Sequence, residues 1–111
     1  MDATMKAKLD LNNENKVVLM VVQALVGAVS PNFRRVAITF DEAMLRLLFV
    51  LERESEEDRE EIEDVMGEFD ALLLSLNEFR FEFNVDITIS AGSLPVMDAL
   101  SSRIVFGRRE Y

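Results

Sequence analysis

From Glu78 to Ser90 polar and apolar residues alternate without a slip. Phe79, Phe81, Phe83, Val85, Ile87 and Ile89 fall on one side, and Glu78, Arg80, Glu82, Asn84, Asp86 and Thr88 on the other. A period of two is the signature of a half-buried strand, because successive side chains leave a strand on opposite faces. The same period appears twice earlier. Phe33 to Phe40 sets Val36, Ile38 and Phe40 against Arg35, Ala37 and Thr39, and Leu45 to Glu52 turns Leu45, Leu47, Phe49 and Leu51 inward. Only Asp41-Glu42-Ala43-Met44 separates these two runs, so they read as an antiparallel hairpin. A last short strand is expected over Arg103 to Arg109, with Ile104 and Phe106 inward.

Two stretches follow the helical period instead. Leu11-Asn12-Asn13-Glu14 has an Asn cap after an apolar residue, and predicts a helix from Asn13 to Val29 that Ser30-Pro31 stops. Its apolar residues nearly encircle it, which predicts a helix covered on most sides. The second helix opens at Ser55-Glu56-Glu57-Asp58, a capping box with acids at the positive end of the dipole. Ile62, Val65, Met66, Phe69, Leu72, Leu73 and Leu76 then recur at i, i+3, i+4 and i+7, and Asn77 ends the run. Ala91 to Pro95 reads as a loop and Val96 to Leu100 as a short helical turn.

The order is α-β-β-α-β-β. For a chain of 111 residues this predicts an α+β fold in one domain, 1–111, with residues 1–10 a loosely ordered leader. The expected architecture is a two-layer α/β sandwich, two helices on one face of a four-stranded antiparallel sheet, with the other face polar and open. Half of the residues are apolar, enough for burial to offset backbone entropy.

Charge changes this picture. Residues 52–70 hold eleven carboxylates and two arginines, a net of −9 that equals the formal charge of the whole chain. The body is therefore neutral, and the field is local to the second helix. Helical spacing puts Glu57, Glu60 and Asp64 on the face opposite the apolar stripe, with Glu61, Glu63 and Glu68 on its flanks. Like charges at that spacing destabilise a helix, and two arginines cannot answer eleven acids. The plain alternative is a solvated face that keeps the protein soluble. A surface so charged disfavours nucleic acid and anionic membranes as direct ligands and suits a basic protein.

Missing residues narrow the chemistry. There is no cysteine and no histidine, so thiol nucleophiles, disulfides, Cys-based metal sites and the usual general base near pH 7 are absent. Gly27, Gly67, Gly92 and Gly107 are scattered and form no phosphate loop. Glu57, Glu60, Glu61 and Asp64 could gather a hard cation, but no loop supplies the carbonyls such ions favour. The expectation is no enzyme, no cofactor and no metal. The leading lysines and the apolar run Val17 to Val29 imitate a signal peptide, but Asp2, Asp10, Glu14 and Gln23 interrupt the pattern. The run also falls short of the ~20 residues that span a bilayer. A buried helix in a cytoplasmic protein is expected.

Three segments carry a resemblance. Ser30-Pro31-Asn32-Phe33-Arg34, then Glu57-Asp58-Arg59-Glu60-Glu61-Ile62-Glu63-Asp64, and finally Arg103-Ile104-Val105-Phe106-Gly107-Arg108-Arg109-Glu110 resemble a family of small acidic bacterial proteins. These are immunity proteins of contact-dependent growth inhibition and related polymorphic toxin systems. The resemblance runs from about Leu9 onward and rests on charge and apolar pattern rather than on a catalytic signature. It implies a cytoplasmic inhibitor that binds a cognate basic toxin domain, commonly a nuclease, and blocks it.

The candidate partner-binding residues are Glu57, Glu60, Glu61 and Asp64 on the acidic helix, and secondly Arg35, Arg46 and Arg80 on the open sheet face. Leu74, which falls off the apolar stripe, and Tyr111 are candidate anchors. Two other readings remain open on the residues alone. One is an adaptor that forms a homodimer through the sheet face or the first helix. The other is an acidic mimic of nucleic acid whose carboxylates stand in for phosphates.

Overall fold

Helix α1 spans Leu11–Leu25 in the computed structural model, which describes residues 11–41, 44–74, 82–97 and 102–110. The proposed leader, residues 1–10, lies outside the described residues. The helix stops short of Val29 because Gly27 takes φ +81°, a left-handed conformation that side chains with a Cβ resist. The Ala28 amide donates to the Leu25 carbonyl at 3.0 Å and closes the last turn. The chain has thus left the helix before Ser30-Pro31. Val17, Val21, Ala24 and Leu25 are buried, whereas Leu19, Val22 and Val26 are exposed. The expectation of a helix covered on most sides therefore fails, since one side of α1 packs and the opposite side is open.

Strands β1 (Phe33–Asp41) and β2 (Met44–Leu51) form the expected antiparallel hairpin, with Ile38 opposite Leu47. Positions 42 and 43 of its turn lie outside the described residues. Helix α2 (Glu56–Leu74) starts where the capping box requires: the Asp58 amide donates to Ser55 Oγ at 3.1 Å. Ile62, Val65, Phe69 and Leu73 are buried as their spacing demands. The expected end at Asn77 lies outside the described residues, as do Glu78 to Phe81 of the next strand. Strand β3 covers Glu82–Ile89 and β4 covers Ser102–Gly107. Val96 and Met97 are not helical, and the rest of that expected turn is outside the described residues.

The sheet is mixed, which corrects the antiparallel expectation. Strand order is β3-β2-β1-β4, and β2 pairs with β3 in parallel, Leu47 opposite Val85. The reason is the helix between them. With 19 residues α2 carries the chain about 28 Å, close to the roughly 26 Å that eight residues of β2 cover. The chain is returned to the end where β2 began and must run beside it in the same sense. Alternation in β3 records one wet face, and it says nothing of strand direction.

One cluster holds the molecule together. Phe33, Val36 and Ile38 of β1 and Leu45, Leu47, Phe49 and Leu51 of β2 join the buried residues of α1 and α2. Phe83, Val85 and Ile87 of β3 and Phe106 of β4 pack against it. Phe33 meets Phe49 edge to face with centroids 6.1 Å apart. Ile104, expected inward, is 56% exposed. A register shift between Val36 and Ala37 pairs Ile104 with Ala37 and turns it away from the cluster. The second face of the sheet is also less open than expected. Ala37 and Val50 there are fully buried, and Arg35 Nη1 donates to the Pro95 carbonyl at 2.9 Å, so the segment after β3 lies against that face.

Truncating Phe49 to Ala should cost about 3–5 kcal/mol, because the surrounding strands cannot close over the space. Ser55→Ala should cost only about 1 kcal/mol, the worth of one helix cap. Urea unfolding followed by circular dichroism reads both, and similar losses for the two variants would contradict the assignment of core and cap.

Candidate partner-binding surface

Arg34 enters the sheet at the irregular step between Phe33 and Arg35, and its side chain is largely buried. Its Nε and Nη2 donate to the two carboxylate oxygens of Glu110 at 2.8 and 2.6 Å, and its Nη1 donates to the carbonyls of Ser90 and Gly92. This is the fork geometry in which Arg binds carboxylates best. Beside it, Arg108 Nη1 donates to Glu52 and to the Pro31 carbonyl, both at 2.8 Å. Asn32 Nδ2 donates to Asp58 Oδ2 and to the Arg53 carbonyl, while Asn32 Oδ1 accepts from the Arg53 amide. The segments before β1, before α2, after β3 and after β4 are tied together here. Residues from all three segments that carry the resemblance, Asn32 and Arg34, Asp58, and Arg108 and Glu110, are therefore engaged with one another.

The Arg34 fork holds the Glu110 carboxyl at about 2, well below the ordinary carboxylate range; partial burial opposes the shift and is outweighed. Glu52 is lowered in the same way by its hydrogen bond from Arg108.

The acidic helix behaves differently. Glu57, Glu60 and Asp64 are exposed and Glu61 is half-buried. Among the described residues, no cation lies within ion-pair distance of any of the four. Arg59 does not answer them, because its guanidinium is taken by Glu54. At 100° per residue, Glu57, Glu60, Glu61, Asp64 and Glu68 fall within about 100° of one another on the exposed side of α2, with Glu60 opposite the buried residues and Glu61, Asp64 and Glu68 toward α1. Glu61, Asp64 and Glu68 rim a groove of about 140 Å³ whose other walls are Ala24, Val26, Gly27, Ala28 and Val65. That volume is below the roughly 300 Å³ at which small-molecule pockets begin, and it suits a single side chain.

Glu57 instead faces a wider depression of about 460 Å³, lined by Asn32, Arg53, Glu54, Ser55, Glu56 and Asp58. The residues that line it are all polar or charged, unlike the apolar walls of most ligand pockets. Among the described residues no group of three or more acidic side chains is placed to hold a metal ion.

The second candidate set is not brought together. Arg35 pairs across from Val50 and Arg46 from Thr39, so the two arginines sit about 13 Å apart along the hairpin. Arg35 is engaged by the Pro95 carbonyl; Arg46 is exposed and lies 4.0 Å from Asp41. Arg80 and Tyr111 lie outside the described residues. Leu74 is 70% exposed at the end of α2. The first helix, the other candidate dimer surface, leaves Leu19 and Val22 exposed, with Val26 exposed just past its end; Leu19 lies nearly opposite the buried Val17, Val21, Ala24 and Leu25, and Val22 lies on the flank.

Family comparison supplies the class of this small α+β chain: immunity proteins. Residues 14–110 match the model of the MafI2 immunity protein family, and the chain belongs to that family. No curated protein is similar enough to match it. Among the described residues no helix is long and apolar enough to cross a membrane.

The Glu110 shift sets a pH dependence. Its folded value lies near 2 and its ordinary value is 4.5, so the stabilisation is fully present above about 4.5 and is lost as pH falls toward 2. Glu110→Gln should lower Tm at pH 7, and the gap from the parent should narrow steadily below pH 4.5. Melting curves at stepped pH check this, and a gap independent of pH would contradict the fork.

Proposed function

We propose that this chain binds and neutralises a basic toxin domain, a nuclease in the simplest case, by stoichiometric occlusion. Membership of an immunity protein family supports a toxin as the partner. The line of unpaired acids on α2 carries the choice of a basic one. A domain that handles nucleic acid must present Lys and Arg to neutralise phosphates, and such a surface is attracted by this helix.

In this reading Glu57, Glu60, Glu61 and Asp64 steer the toxin in and contact it, and Arg35, Arg46 and Arg80 are the second choice of contact site, in place of the acidic helix. The chain performs no chemistry. It acts in the cytoplasm of a cell exposed to toxin from contact-dependent or related delivery. Charged rims set the association rate and its salt dependence more than they set the final affinity. Protection strong enough for a living cell therefore needs a desolvated centre as well.

Reversing Glu60 and Asp64 to Lys should slow association with the cognate toxin domain by about tenfold at low salt and flatten the dependence on ionic strength. Stopped-flow or surface-resonance rates at two salt concentrations measure this. An unchanged rate with an unchanged salt slope would reduce the acidic helix to a solvated face.

A further inference from the structure

The two edges of the sheet are finished differently. At β4 the strand is short, its pairing with β1 shifts between Val36 and Ala37, and Arg103 Nη2 donates to Asn15 Oδ1 of α1 alongside. Short length, irregular pairing and a covering element are common ways of closing an edge to other strands. At the opposite edge β3 runs eight residues in unbroken register with β2 and contains neither proline nor lysine.

One contact sets the direction of its free bonding groups. The Ser90 amide donates to the Leu51 carbonyl at 2.8 Å, so the backbone at position 90 turns toward β2. Backbone direction alternates along a strand, which points the amides and carbonyls of Phe83, Val85, Ile87 and Ile89 outward. Among the described residues nothing bonds to them.

We infer that β3 is a self-association edge: two copies of this chain pair antiparallel about Val85 and join their four-stranded sheets into one. The inference goes beyond the toxin-binding reading and stands independently of it. Charge selects both the occupant and the register. Outward groups meet only where odd positions face odd positions. Centring the pair on Asn84 sets Glu82 against the second copy's Asp86, and centring it on Asp86 sets that carboxylate against itself. Like charges directly opposite destabilise a sheet. A centre on Ile87 separates the acids but sets Asn84 against Ser90, beyond the end of β3. Centring on Val85 opposes Asn84 to Asp86 and Glu82 to Thr88, so each acid meets a neutral hydrogen-bonding group. On the other face it opposes Phe83 to Ile87 and Val85 to itself.

The fold leaves room for the second sheet. Helix α2 covers β3 from the face, where Phe69 meets Phe83 edge to face with centroids 5.2 Å apart. Helix α1 lies toward β4, and Glu61, Asp64 and Glu68 turn toward α1, away from the β3 edge. The dimer therefore keeps those acids open to a basic partner. Pairing over residues 82–88 falls short of the roughly 20–30 residues a side of a standard interface, which predicts micromolar self-association rather than a permanent dimer.

Sedimentation of the full chain should show a monomer–dimer equilibrium. Asn84 is exposed, so substitutions there should keep the parent's Tm. Asn84→Asp sets a carboxylate against Asp86 of the second copy, twice by symmetry, and should weaken the dimer about tenfold at low salt. Asn84→Lys should tighten it. Amide exchange followed by NMR gives a second reading. The Phe83, Val85 and Ile87 amides should slow as concentration rises, while those of Asn84 and Asp86, turned toward β2, are slow throughout. A chain that stays monomeric at millimolar concentration overturns the inference. So does a dimer indifferent to both Asn84 variants whose outward amides exchange freely. Protection of those amides only in a one-to-one complex with the cognate toxin domain would give the edge to the toxin and overturn it as well. All three results leave the immunity reading intact.

Discussion

Burying a guanidinium at the mouth of a sheet obliges the rest of the chain to bring acceptors to it, and Arg34 draws them from far along the sequence. The Glu110 carboxylate comes from beyond β4, and the Ser90 and Gly92 carbonyls come from the turn after β3. Charge-assisted bonds in fork geometry are the strong kind, and they hold direction as well as distance. Satisfying Arg34 fixes where β3 ends and where the last residues lie. Arg108 extends the same network to Glu52 and to the Pro31 carbonyl, and Asn32 extends it to Asp58. That last link sets the N-terminal end of α2, and with it the direction in which the acidic line points.

A division between the two kinds of charge follows. The basic residues around Arg34 are consumed by pairs at one end of the sheet. Asp58 apart, the acids of α2 are in excess, and among the described residues no cation pairs with them. Their mutual repulsion disfavours the helix that carries them. The capped start at Ser55 and the burial of Ile62, Val65, Phe69 and Leu73 hold that helix in place regardless.

Periodicity made most of the fold legible. Elements alternating at two or recurring at i, i+3 and i+4 were placed within a few residues, because each has one face in the common core. Strand direction was not legible, since the pleat of β3 is the same whether its neighbour runs with it or against it. What decides direction is the span of α2, which matches the length of β2. The end of α1 was overrun because Gly27 is an isolated glycine, and only its positive φ marks it as a terminator. Ile104 was misplaced because a one-residue shift in pairing turns a strand's side chains over. At the candidate site, the acid line was legible from charge and spacing. The groove was not, because Ala24, Gly27 and Ala28 meet Glu61, Asp64 and Glu68 only through the packing of two helices distant in sequence.

Hydrogen exchange of the chain, free and saturated with its toxin, tests most directly where neutralisation takes place. The account predicts new protection over residues 57–68, with β1 and β2 unchanged around Arg35, Thr39 and Arg46. Protection confined to the second sheet face, with the two helices exchanging as in the free protein, would contradict it.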